Sequence, residues 1–94
     1  MLTEYEVRRR MELICTSRLA PLRKARMLLS IGKSLSAQVK SLRRAKEQIS
    51  QTADRKAEAG LTRMATNTQQ LHEDVRDAAF EALQSEGKQG PHPG

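Results

Sequence analysis

Three groupings in this chain have the residue types of a reactive or ligand-binding site. Gly32-Lys33-Ser34 is the tail of a phosphate-binding loop. His72-Glu73-Asp74 offers metal-ligand types. Cys15 is a candidate nucleophile, with His72 as a distant candidate base. Each fails on its surroundings. A phosphate loop needs a glycine five residues before the Gly-Lys pair and a buried strand leading into it, because its amides must curl around the phosphates. That position is Met27, and no β-branched run precedes it. A zinc-binding helix needs a second histidine four residues after the first, and that position is Arg76; the other histidine is His92. Cys15 has no cysteine partner, and on the inner side of an apolar helix a lone thiol is expected to be an inert core residue. His72 reads as a surface residue beside two acids. The expectation is a non-enzyme with no catalytic residues, no metal ligands and no cofactor.

The elements around these residues read as helices throughout. Leu28, Ile31, Leu35, Val39, Leu42 and Ile49 recur at three- and four-residue steps, one stripe of a helix that runs straight through Gly32-Lys33-Ser34. Before it, Thr3 and Glu6 have the spacing of a capping box, and Leu2 with Val7 that of a hydrophobic staple. Val7, Met11, Ile14 and Cys15 mark the buried side of this first helix. Pro21 ends it near Arg18 or Leu19 and suits the first turn of the next helix. Ser50-Gln51-Thr52-Ala53-Asp54 is a turn cluster, since Ser, Thr and Asp bond the backbone locally. The third helix carries Ala57, Leu61, Met64, Thr68, Leu71, Val75, Ala78 and Ala82 as a heptad-like seam, with Asp74, Asp77 and Glu81 on the opposite face. The expected spans are 3–19, 21–50 and 54–84.

The second and third helices have matched lengths, so they pair as a long hairpin, and the first covers about half of it. The expected fold is all-α, a small antiparallel three-helix bundle. A long two-helix rod dimerised through the same stripe is the competing architecture. Residues 1–86 form the helical domain. Gly87 to Gly94, with three glycines and two prolines, reads as a disordered tail.

Composition bounds the rest. At 94 residues there is room for one small domain. Tyr5 and Phe80 are the only aromatics, so no aromatic-lined pocket is available. A single cysteine fits a reducing compartment such as the cytoplasm, and no apolar run is long enough for a membrane span. The net charge of +6 is uneven. Between Val7 and Lys46 stand twelve basic side chains and one acid, Glu12, whereas Glu47 to Gly94 holds five basic and eight acidic residues. A polarised chain of this kind suits an acidic partner. The plainer reading is solvation, with mutual attraction between two helices of one bundle.

On the second helix Arg26, Lys33, Lys40 and Arg44 are separated by seven, seven and four residues and share a face, with Arg43 close by. Leu22 and Leu29 project almost the same way. Leucine inside a basic stripe fits a protein contact better than a purely solvated face, so Arg26, Leu29, Lys33, Lys40 and Arg44 are the candidate partner-binding residues. Nucleic acid is the other target for a basic stripe, but the stripe has no aromatics for base stacking and the chain has no zinc finger or basic zipper.

A short capped helix ending before "RLAP", then "ARMLLSIGKSLSAQVKSL", then a turn into "DRKAEAGLTRMATNTQQL" resembles the small all-helical immunity proteins of type VI secretion effectors, over about residues 2–83. The resemblance rests on helix lengths, on the Leu28-Leu29-Ser30 segment with a lysine soon after, and on the Asp54-Arg55 entry to the last helix. It implies a protein with no activity of its own that binds a toxin domain, of the type attacking NAD or related nucleotides, and blocks its substrate cleft. For a chain this basic, the toxin face would be acidic. A helical coiled-coil scaffold or adaptor, self-associating or not, and a basic nucleic-acid-binding protein are the alternatives.

Overall fold

The computed structural model describes residues 1–88, with side chains through Ser85. Three helices make up the fold: α1, Glu4–Cys15; α2, Pro21–Ser50; and α3, Arg55–Lys88. Helix α2 meets α3 in antiparallel register. Lys24 lies beside Ala78–Ser85, Gly32 beside His72 and Val75, and Arg43 and Lys46 beside Thr62–Thr66. The chain therefore folds back as a hairpin instead of the long two-helix rod, and the bundle is a narrow slab of 66 × 20 × 14 Å. Among the described residues no helix is long and apolar enough to cross a membrane.

Local chemistry sets each boundary. Thr3 is the N-cap of α1, and its hydroxyl accepts the Glu6 amide at 3.2 Å. Helix α1 stops at Cys15, three or four residues short of the expected end. The Thr16 hydroxyl donates to the Glu12 carbonyl at 2.7 Å and the Ser17 hydroxyl to that of Ile14 at 2.6 Å. Hydroxyls so placed compete with the next helical turn. Helix α2 starts on Pro21 and runs without interruption to Ser50. Its end is tied by the Thr52 amide and hydroxyl to the Ile49 carbonyl. Ala53 then takes a left-handed conformation with φ of 60°. Asp54 restarts the chain by accepting the Ala57 amide at 3.1 Å. The turn cluster is thus a turn. Helix α3 continues to Lys88, past the expected end at 84 and into the stretch expected as tail. Pro91 is the first residue that would remove a helical donor. The disorder expected of residues 89–94 lies outside the described residues.

The core is one cluster. Val7 and Ile14 of α1 pack with Leu28, Ile31 and Leu35 of α2 and with Leu71, Val75 and Ala79 of α3, and Leu2, Met11 and Ala78 close its edge. The α2 stripe is buried from Leu28 to Leu42, and Ile49 is half-buried. Helix α1 begins beside the middle of α2, where the Leu2 amide donates to Gln38 Oε1 at 2.9 Å and Gln38 Nε2 donates to the Leu2 carbonyl at 3.0 Å. From there it runs back toward the α2 N-terminus, so that Leu13 and Ile14 meet Met27 and Ile31. It therefore covers only the half of the hairpin near Pro21 and Ser85.

That half-coverage corrects four readings. Met64 sits on the seam of α3 yet is exposed, because α1 starts beyond it and runs the other way. Asp74 does not face open solvent: Arg8 Nη2 donates to its Oδ2 at 3.3 Å across from α1. Cys15 is exposed rather than core, lying on the last helical residue beside the departing chain. His72 is not a free surface residue; its ring lies over Gly32 between α2 and α3. Both aromatics, Tyr5 and Phe80, are exposed.

Candidate protein-docking face

Helix α2 sorts its residues by side. Leu28, Leu35 and Leu42 point inward and are buried. Arg26, Leu29, Lys33, Lys40 and Arg44 are all exposed and share the opposite side. The structure therefore brings all five candidate residues into one row about 27 Å long, by the rise of 1.5 Å per residue. The ion pairs among the described residues are Arg8 with Glu4 at 3.7 Å and Arg8 with Asp74 at 3.3 Å. The basic row joins neither, so its charge is open to solvent and to a partner.

Two further residues extend this face, and no pattern within α2 could have pointed to them. The pairing of Gly32 with His72 and Val75 sets the register of the hairpin. It places Leu22 and Leu29 at the same end of the bundle as Phe80 and Leu83. All four are exposed, and helical spacing turns all four away from the side that α1 covers. The exposed end of the hairpin thus adds apolar area from α3 beside the α2 leucines. Phe80 stands off the α3 seam; an aromatic at an outward position was the one signal available.

The three groupings with reactive residue types resolve as follows. Gly32 is buried inside α2, where backbone amides serve the helix rather than a phosphate. The Ser34 hydroxyl turns back to the Ser30 carbonyl at 3.4 Å, and Lys33 stands in solvent. His72 lies against Gly32, whereas Cys15 lies at the end of α1 beside Lys24, Ala78 and Ala82. They do not form a nucleophile–base pair. Among the described residues no three His, Cys, Asp or Glu side chains are grouped as a metal site.

A recess of about 640 Å³ lies between the α1–α2 connection and the end of α3. Its polar members are mixed in charge: Arg18 and Lys24 face Glu81. Lys24 Nζ is already engaged by the Cys15 carbonyl at 3.1 Å. A second groove, about 400 Å³ and mostly apolar, runs between Leu13 and Met27. Neither recess gathers converging polar groups of the kind that orient a small substrate. The α2 row with its leucines, Phe80 and Leu83 is the most developed surface for a protein contact. Comparison of the chain with protein-family models, with curated proteins and with solved structures finds no match.

Proposed function

We propose that this chain is a non-enzymatic inhibitor that docks an acidic protein surface with the outward face of α2. The reading rests on one observation: Arg26, Lys33, Lys40 and Arg44 form an exposed row without ion-pair partners among the described residues, and exposed Leu29 stands inside it. Charge of one sign steers an oppositely charged partner into contact. Leucine supplies apolar burial, and interface energy concentrates in such desolvated anchors. The resemblance to immunity proteins of type VI secretion effectors makes a toxin domain in the cytoplasm the proposed partner, held so that its substrate cleft is blocked.

The test uses the double variant Leu29→Asp with Lys40→Glu. Both side chains are exposed, so helicity should be unchanged. The wild-type chain is used to recover its partner from the cells that make it, and the variant is then titrated against that partner. Loss of a central anchor should weaken binding by about 30-fold or more, and association of the parent should slow as salt rises. In cells making a toxin partner, the variant should fail to protect. Undiminished binding by a folded variant removes this face from the interface. Recovery of nucleic acid in place of protein replaces the inhibitor with a polyanion binder, the second use to which an unpaired basic row is suited.

A further inference from the structure

The half of the hairpin that α1 leaves bare carries a surface of its own. Met64 and Leu71 are seven residues apart on one stripe of α3. Leu71 is 4% exposed and Met64 is 45% exposed. The difference is α1, which lies over Leu71 and starts too late to cover Met64. Beyond the Leu2–Gln38 contact, α2 continues for twelve residues to Ser50, or about 18 Å. Along that length the two helices meet over buried Val39 and Leu42 and half-buried Ala45, Ile49 and Leu61. Nothing among the described residues lies on top. Where this lane meets α1, Met64, Thr68 and Leu71 close a recess of about 420 Å³ with Leu2 and Gln38.

Charge along the lane says what fits it. Lys56, Arg63, Asp74 and Glu81 are spaced seven, eleven and seven residues apart, which returns all four to one row of α3. The acidic half of that row receives α1, whose Arg8 pairs with Asp74 at 3.3 Å. The basic half, Lys56 and Arg63, is exposed and flanks the bare lane. Glu47 and Glu58, the acids at this end of α2 and α3, fall on the other side of the hairpin by helical spacing. A second copy laid lane against lane would therefore bring Lys56 and Arg63 to an edge whose nearby acids are already engaged, Glu4 by Arg8 at 3.7 Å and Asp54 as the cap that accepts the Ala57 amide. A helix that repeats the docking of α1 but carries acid where α1 carries Arg8 has both the stripe and the charge.

We propose that the bare lane beyond α1 is a receptor groove for an acidic amphipathic helix of a partner protein, with Leu61 and Met64 as its apolar floor and Lys56 and Arg63 as its charged rim. The mode is helix-in-groove recognition, with anchors of the bound helix at three- and four-residue steps. This surface lies on the α1 side of the hairpin and does not depend on the outward face of α2.

The probe is a synthetic amphipathic helix of about 14 residues, long enough to span the lane, with a leucine stripe and glutamates on both flanks. A twin carries lysine at every glutamate position. Backbone amide shifts of the intact chain are followed during titration of each. The glutamate peptide should shift Ala45, Leu61 and Met64 saturably, and the lysine twin should not. In a Lys56→Glu, Arg63→Glu variant the preference should reverse, with at least a tenfold loss for the glutamate peptide; circular dichroism confirms that the variant is folded. The Leu29→Asp, Lys40→Glu variant should bind the glutamate peptide as the parent does, which separates this groove from the α2 face. Four outcomes overturn the proposal: no saturable shift in the lane, shifts centred on Leu29 and Phe80 instead, a preference that charge reversal leaves intact, or lane shifts that appear on concentrating the protein alone and mark a second copy as the occupant.

Discussion

Gln38 holds Leu2 as a strand would hold its neighbour: the side-chain amide both accepts from the Leu2 amide at 2.9 Å and donates to the Leu2 carbonyl at 3.0 Å. The two residues are 36 apart in sequence. This reciprocal pair positions the start of α1 along α2 and thereby decides how much of the hairpin is covered.

Gln38→Ala should therefore destabilise the fold by about 1–2 kcal/mol, from two lost hydrogen bonds at partly buried backbone groups. Gln38→Glu keeps the acceptor for the Leu2 amide but sets a carboxylate oxygen against the Leu2 carbonyl, so its cost should be at least as large. Urea midpoints of both variants should fall below the parent. Equal midpoints for all three proteins would remove Gln38 from the positioning of α1.

Gly32→Ala should stabilise the protein by about 0.5–1 kcal/mol, since glycine in a helix interior is costly relative to alanine. A Cβ there would stand 3.7 Å from Val75 Cγ1 and 3.8 Å from His72 Cδ2, ordinary contact distances. Gly32→Val should reverse the sign, because its extra methyl groups have no room between those two side chains. Thermal midpoints distinguish the two directions. Titration with ATP, GTP and NAD should give no saturable heat for the parent or for Lys33→Ala.

The Cys15 thiol is exposed at the end of α1. It should react fully with a chromogenic disulfide reagent in native buffer, at a rate close to that measured in denaturant. Cys15→Ser should leave stability within about 0.5 kcal/mol of the parent. Reaction only after unfolding would return this residue to the core.

Adjacent leucines on α2 should behave in opposite ways. Leu28 is fully buried, and Leu28→Ala should cost about 2–5 kcal/mol. Leu29 and Phe80 are exposed, and alanine at either should change unfolding free energy by no more than about 0.5 kcal/mol. A large cost at Phe80 would mean that it is packed in solution, and the apolar extension of the docking face would be lost with it.

What could be read from sequence was what a single helix decides for itself. The stripe from Leu28 to Leu42, the Thr3 cap, the Pro21 start and the Ser50–Asp54 turn all follow from residues within one or two turns of each other. The outward placement of Arg26, Leu29, Lys33, Lys40 and Arg44 follows from the same periodicity. What escaped was set between helices. Spacing alone puts Asp74 on an open face, because its partner Arg8 is 66 residues away. It puts His72 on the surface, because only the hairpin register lays it on Gly32. It puts Met64 in the core, because its stripe is correct and the missing element above it is invisible from α3 alone.

The left-handed turn at Ala53 has a consequence for how the chain folds and opens. It joins two long helices whose contacts pair residues at steadily growing sequence separation, so the hairpin can close from the turn outward, each step shortening the loop left for the next. The end that closes first is the end α1 does not cover, and it holds the least buried area. The far end carries Val7, Leu28 and Val75, all fully buried, and is sealed by contacts 36 and 66 residues apart. Amide protons near the turn should therefore exchange through local fraying, while those around Leu28 and Val75 exchange only when the whole molecule unfolds. The chain starts folding at one end and is kept folded by the other.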